Sequence, residues 1–173
     1  MGPTDAGVDT LFPFPRTPSG VFERDDVESL PAATLCHLVD GDETLLIHKK
    51  RGVGSDQWVG PGGKVEPGET VRECVVREVQ EEVGIEVQDP EKRGVFVYRS
   101  DDWDAVVHVF RATAYEGTPE ETAEADPAWF PVDDLPLEEM WATDREWLPR
   151  VLQGDSFRGR FIYSDGEPET VDL

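Results

Sequence analysis

Hydrophobic and polar positions alternate along this chain with two different periods, and each change of period marks a new element. From Ala32 the run AATLCHLVD, a Gly-Asp-Glu turn and TLLIHKK read as two strands joined as a hairpin. Farther on, GVFVYRS and AVVHVFRATAY alternate around a polar turn, and Ala128–Val132 is another short strand-like run. FRGRFIYS and ETVDL read as closing strands. Between these, Val71, Cys74, Val75, Val79 and Val83 recur at helical spacing, which predicts a helix from about Thr70 to Val83 that stops at Gly84. Thr143-Asp144-Arg145-Glu146 has the spacing of a capping box and predicts a second helix through Trp147 and Leu148 to about Leu152. The element order is mixed α and β.

Residues 1–30 differ from the rest. Pro3, Pro13, Pro15 and Pro18 stand there among Gly and Asp, with Pro31 just beyond, which reads as an extended Pro/Gly-rich lead-in, with Leu11, Phe12 and Phe14 free to dock. The remaining stretch, 31–173, is expected to be one domain, since 173 residues leave little room for a second core. No internal repeat is visible. The first ten residues have neither a basic cluster nor an apolar stretch of signal-peptide length, and no apolar run is long enough to span a bilayer, so a cytoplasmic protein without a membrane partner is expected.

Charge changes the picture further. The formal net charge is -22, from 38 acidic and 16 basic residues, and Lys occurs only at positions 49, 50, 64 and 92. Self-repulsion on this scale needs screening, whose length falls to about 3 Å at molar salt. The surface therefore suits a concentrated-salt cytoplasm better than an acidic partner-binding role. It also argues against duplex nucleic acid as a partner, because that binding relies on neutralising phosphates with Lys and Arg. No pattern sets an oligomeric state. Cys36 and Cys74 sit inside apolar patterns as buried structural cysteines, and His37, His48 and His108 are read as plain strand residues.

Candidate chemistry is concentrated in GKVEPGE (63–69) and REVQEEVGI (77–85), a gapped pattern G-x5-E-x7-R-E-V-x-E-E-x-G-I. On a helix Glu78 and Glu82 are one turn apart, and Glu81 is three residues from Glu78. Three carboxylates thus share the face that the apolar stripe leaves open. Like charges so placed repel unless a cation compensates, and carboxylates with room for water suit Mg2+. Arg77 lies four residues from both Glu73 and Glu81 and can hold acidic side chains in place, while Glu69 can brace the loop or the ligands. Gly62, Gly63 and Gly68 let backbone come close to metal and phosphates.

This pattern matches the Nudix box at every fixed position, and the chain resembles the Nudix hydrolase family. The resemblance implies an α/β fold, an α/β/α sandwich around a mixed β-sheet. It implies Mg2+-dependent attack of water on a phosphorus of a nucleoside diphosphate derivative, with Mn2+ as a substitute ion. Glu78 and Glu82 would be the principal metal ligands, Glu81 a further ligand or the general base, and the Gly63 carbonyl would complete the coordination. Glu124 is the alternative base.

From about Thr34 to Phe161 the likeness is nearest to oxidised purine nucleoside triphosphate diphosphatases, through KKRGVGSDQWVGPGGKV, VVHVFRA, EGTPEETAEADPAWFPVDDLP and EEMWATDREWLP. In that subfamily an acid before the WF pair contributes to metal binding, and Glu124 matches it. The base pocket would take Thr34, Phe96, Trp141 and Asp144, with Lys49 and Lys64 completing the substrate-binding set. Val59 stands where the subfamily has an amide side chain, Thr143 replaces the first of two aspartates, and Val53 replaces an aromatic residue; losing polar readers should loosen base discrimination. The activity implied is hydrolysis of a nucleoside triphosphate to monophosphate and pyrophosphate, with 8-oxo-dGTP as lead substrate. The other readings are a Nudix hydrolase for ADP-ribose or a dinucleoside polyphosphate, and a non-catalytic nucleotide-sensing module.

Overall fold

A computed structural model describes residues 30–52, 55–101, 103–165 and 167–172. The expected N-terminal lead-in, its apolar residues Leu11, Phe12 and Phe14, and Val53 lie outside them. Among the described residues ten strands form in chain order: β1 (Ala32–Asp40), β2 (Glu43–Lys49), β3 (Trp58–Val59), β4 (Glu86–Gln88), β5 (Glu91–Arg99), β6 (Asp104–Ala112), β7 (Ala114–Glu116), β8 (Ala125–Pro131), β9 (Phe157–Ser164) and β10 (Glu167–Asp172). Within the same described residues the helices α1 (Val71–Val83) and α2 (Asp144–Leu152) join them, with a 3-10 turn at Leu137–Glu139. The main sheet runs β10-β9-β5-β6-β1-β2-β3 with β8 also on β2, and β4 pairs with β7 apart from it. It is mixed: β1 lies parallel to β6 and β5 parallel to β9, and the other pairings are antiparallel.

Alternation along β1 builds both layers. Cys36 and Leu38 join Val75, Val79 and Val83 of α1 in one core, while Ala33 and Val39 join Trp147, Leu148, Val151 and Leu152 of α2 in another. The expected α/β/α sandwich is thus the fold observed, one helix on each face. Both cysteines are free and fully buried, as expected, and burial pushes the Cys36 thiol up to about 12.

The hairpin expected from β1 and β2 pairs only at its closed end, Val39 with Thr44 and Asp40 with Glu43. Beyond that point the strands part, because the first half of β1 bonds instead to the glycine segment. Thr34 N–H donates to Gly63 O at 2.8 Å, Cys36 N–H to Pro61 O at 2.7 Å, and Val65 N–H to Ala32 O at 3.0 Å. This substitution places a glycine-rich loop inside what would otherwise be a sheet.

The helix boundaries correct one expectation. At α1 a capping box forms between Thr70 and Glu73, each side chain bonded to the other's backbone N–H, and Gly84 closes the helix with φ 75°. The same spacing at Thr143 and Glu146 forms no box. Thr143 is buried and its hydroxyl lies 2.8 Å from the Tyr163 hydroxyl, which also accepts the Thr143 N–H at 3.1 Å. A tertiary partner on β9 has taken the group that a local cap would use.

Replacing Thr70 by Ala should therefore lower the unfolding free energy by about 1 kcal/mol, whereas Glu146→Ala should change it by less than about 0.5 kcal/mol. Urea unfolding at fixed salt checks both, and equal losses would contradict the different capping of the two helices.

Candidate active site

Arg77, on α1, is the hub of the polar cluster. Its Nε and Nη2 donate to the two oxygens of Glu69 at 2.6 and 2.9 Å, a bidentate pair, and Nη1 donates to Glu78 at 2.8 Å and to Glu81 at 3.1 Å. Nη2 also donates to the Lys64 carbonyl at 3.2 Å, which fastens the glycine segment to the helix. The Arg77 hydrogen bonds hold the Glu69 carboxyl down at about 2, so it is an anion that braces the loop, as its position before the helix implied. Glu69 completes the brace by accepting the Glu66 N–H at 3.1 Å.

Glu78 and Glu82 point from α1 toward that segment. The Glu78 carboxylate rests on Gly63, where a side-chain Cβ would stand only 2.4 Å from its carboxyl carbon. Any other residue at 63 would push it away, which gives this glycine a steric requirement rather than a conformational one. Glu82 accepts the Gly62 N–H at 3.3 Å and is 4% exposed, so it does not share the open face expected for all three glutamates. The helix turns position 82 inward beneath the loop and leaves Glu81 half outside. Burial, with Glu78 and Glu124 nearby, pushes the Glu82 carboxyl up to about 8 against the opposing pull of Gly62 N–H and Lys49; burial raises Glu78 as well.

Glu124 arrives from the loop before β8. Thr122 Oγ1 donates to the Glu82 carbonyl at 2.8 Å and accepts the Glu124 N–H at 3.2 Å, tying that loop to the end of α1. The Glu124 carboxylate is exposed and bonds Arg51 at 3.3 Å. Among the described residues no three acidic, His or Cys side chains already converge as a metal cage, because Arg77 draws Glu78 and Glu81 and Arg51 draws Glu124. The donor set nevertheless suits a hard divalent cation. Two carboxylates crowd the glycine segment, Glu78 against Gly63 where a Cβ would stand and Glu82 beneath the Gly62 N–H, and burial opposes the ionised form of both.

The glycine segment forms one side of a cavity of about 380 Å3, a size usual for small-molecule sites. Thr34, Lys49, Lys64, Phe96, Trp141 and Asp144, all expected around the substrate, line it. Thr34, however, turns its hydroxyl toward α1, where it lies 3.4 Å from the Gly63 carbonyl and 3.3 Å from Cys74 Sγ, so that hydroxyl is engaged before any ligand arrives. Trp141 stands edge-on to Tyr98 and Tyr163, at 5.3 and 5.7 Å between ring centroids. Asp144 is buried, and burial pushes its carboxyl up to about 7 despite the Trp141 backbone and the Trp147 indole beside it. Sequence reasoning missed His37, Tyr98, Trp103 and Trp147 as cavity walls, all from strands, loops or helix faces whose apolar periodicity reads as core.

The NUDIX domain model matches residues 29–151 of the chain. The chain is 42% identical over 134 residues to the oxidized purine nucleoside triphosphate hydrolase of Danio rerio, covering 75% of this chain and 85% of that protein. It is 39% identical over 136 residues to the Mus musculus protein of the same name, covering 76% and 86%. In three dimensions it resembles the crystal structure of a MutT protein from Bacillus halodurans, with a TM-score of 0.74, 36% identity, and coverage of 83% of this chain and 97% of that one. With the carboxylate cradle, the glycine segment and the adjoining cavity in one place, the chain belongs to the Nudix hydrolase family.

Proposed function

We propose that this enzyme hydrolyses a purine nucleoside triphosphate to the monophosphate and pyrophosphate with Mg2+, and that an oxidised purine such as 8-oxo-dGTP is its lead substrate. One observation carries the reading: Gly62 and Gly63, which touch Glu82 and Glu78, also line a cavity walled by Phe96, Tyr98, Trp141 and Asp144. Phosphates at the cradle would put a purine among Trp141, Tyr98 and Phe96. The names of the fish and mouse relatives point to the same substrate class.

In this reading Glu78, Glu82 and the Gly63 carbonyl would hold Mg2+, or Mn2+ in its place, and Glu81 and Glu124, paired with Arg77 and Arg51, would be the further carboxylates near the ion. When bound, such a cation would supply charge neutralisation on the phosphate oxygens and lower the pKa of the attacking water. The water oxygen bonds to phosphorus, the α–β anhydride bond breaks, and a carboxylate takes the proton. Glu81 and Glu124 both remain candidates for that base: each is exposed and each is held by an arginine. Lys49, lining the cavity and acting electrostatically on Glu82, and Lys64 supply positive charge for the phosphates. Trp141 offers a stacking face and Asp144 a buried group for the base edge. The acidic surface fits a concentrated-salt cytoplasm, and among the described residues no helix is long and apolar enough to cross a membrane.

Three outcomes are expected. In molar KCl with Mg2+, chromatography of a panel of 8-oxo-dGTP, dGTP, dATP, ADP-ribose and a diadenosine polyphosphate should show pyrophosphate released fastest from the oxidised nucleotide. Fastest turnover of ADP-ribose or the dinucleotide would overturn the substrate and leave the family chemistry. Glu78→Gln should lower kcat by at least about a hundredfold with the fold retained, since a ligand charge is lost at constant volume.

The third outcome concerns pH. The Asp144 carboxyl lies at about 7 when folded and near 3.8 when unfolded. Well below pH 3.8 it is protonated in both states and costs nothing, and as pH rises through 3.8 toward 7 the unfolded chain ionises first, so folding loses stability. Asp144→Asn should therefore gain stability relative to the parent between pH 4 and 7, by up to roughly 4 kcal/mol. A difference that stays flat across that window, measured by urea unfolding, would contradict the buried state of this carboxyl.

A further inference from the structure

On the α2 face of β1, three of the four alternating residues are apolar: Ala33, Leu35 and Val39. The fourth is His37. Its ring is 1% exposed, forms part of the cavity wall, and stands edge-on to Trp147 at 5.4 Å between centroids with the planes at 65°. Among the described residues neither Nδ1 nor Nε2 has a hydrogen-bond partner. Burial holds its pKa down at about 4, so at neutral pH it is an uncharged imidazole with one donor and one acceptor.

A glycine makes room for it. A Cβ at Gly60 would stand 2.6 Å from His37 Cε1, closer than side chains approach, and 3.0 Å from Nε2. The position is thus built around a ring with polar atoms that the protein does not satisfy. A leucine would fill such a site without the penalty of two orphaned groups, so packing alone does not account for the imidazole. The polar alternatives at this end of the cavity are few: Val59 has no polar side-chain atom, and the Thr143 hydroxyl is engaged with Tyr163.

We propose that His37 is a specificity-determining residue of this pocket, hydrogen-bonding the purine base of the bound nucleotide alongside Asp144. The inference rests on the nucleotide reading above and goes beyond it by assigning the base contact to a strand residue of the cavity wall. His37 lines the cavity with both nitrogens unpartnered, and a turn about the soft χ2 torsion would be needed to aim one of them at the base. A neutral imidazole there favours a base edge with a complementary donor or acceptor and penalises one that leaves the ring unpaired, which is how buried polar groups discriminate.

His37→Leu tests this. The variant should fold with unchanged or higher Tm, because two orphaned polar groups are gone. Its kcat/KM for the preferred purine triphosphate should fall at least about tenfold while that for the poorest base falls less than about threefold, so that the preference collapses. A stable variant with the preference intact would overturn the proposal. Should the variant not fold, imidazole 15N spectra of the wild-type protein decide it, with an α,β-methylene deoxyguanosine triphosphate analogue and Mg2+ added. The His37 nitrogens should shift and those of His108 should not, because His108 is equally buried and unpartnered but lies outside the cavity. Unshifted His37 resonances overturn the proposal. A wild-type enzyme that hydrolyses no triphosphate fails the functional reading instead, and the spectra still report on His37.

Discussion

Mutual repulsion among carboxylates is the constraint around which this molecule is arranged. Glu69, Glu78 and Glu81 converge on one guanidinium, that of Arg77. Glu82 lies beyond its reach, buried beneath Gly62 with a backbone N–H as its nearest donor. A helix bearing these acids would gain more from spreading them than from gathering them. They stay gathered because Arg77 also ties the helix to the loop through Lys64 O, and because a capping box anchors the start of α1. Burial raises the carboxyls of both Glu78 and Glu82, and a divalent cation held between them would favour their ionised forms, which makes the cradle a place for one.

The same loop creates the substrate space. Because Pro61 and Gly63 carbonyls accept N–H groups of Cys36 and Thr34, β1 cannot continue its pairing with β2, and the two strands part. The gap is bounded on one side by the glycine segment and on the other by α2 and the aromatic residues of β5. Chemistry and recognition therefore share one wall: Gly62 and Gly63 face the carboxylates and also line the cavity. A change in the loop would disturb both at once. In an acidic protein of net charge -22, Arg77 and Lys49 are among the few cations close to these acids, which gives each unusual weight.

The helix carrying the acidic motif was legible because its signals are local. The apolar repeat from Val71 to Val83 and the terminal Gly84 are confined to fourteen residues and need no distant partner. β1 and β9 were equally legible from alternation. What escaped the sequence depends on contacts far along the chain. The capping pattern at Thr143 is as good as that at Thr70, yet Tyr163 decides against it. Glu82 looks like its neighbours Glu78 and Glu81 until the loop covers it. β3, β4 and β7 are only two or three residues long, too short for alternation to show. Val59 and His37 show the same limit in the pocket. Their residue types are plain, but which wall carries the polar atoms depends on how Gly60 packs against β1.

Occupancy of the carboxylate cradle is the central claim, and direct observation of the ion tests it better than turnover does. Electron paramagnetic resonance of Mn2+ titrated into the protein, with and without the α,β-methylene nucleotide, should show saturable loss of the free-ion signal. Binding should tighten when nucleotide is present and be lost in Glu82→Gln. Free-ion signal undiminished by the wild-type protein, or binding unaffected by that substitution, would contradict the account.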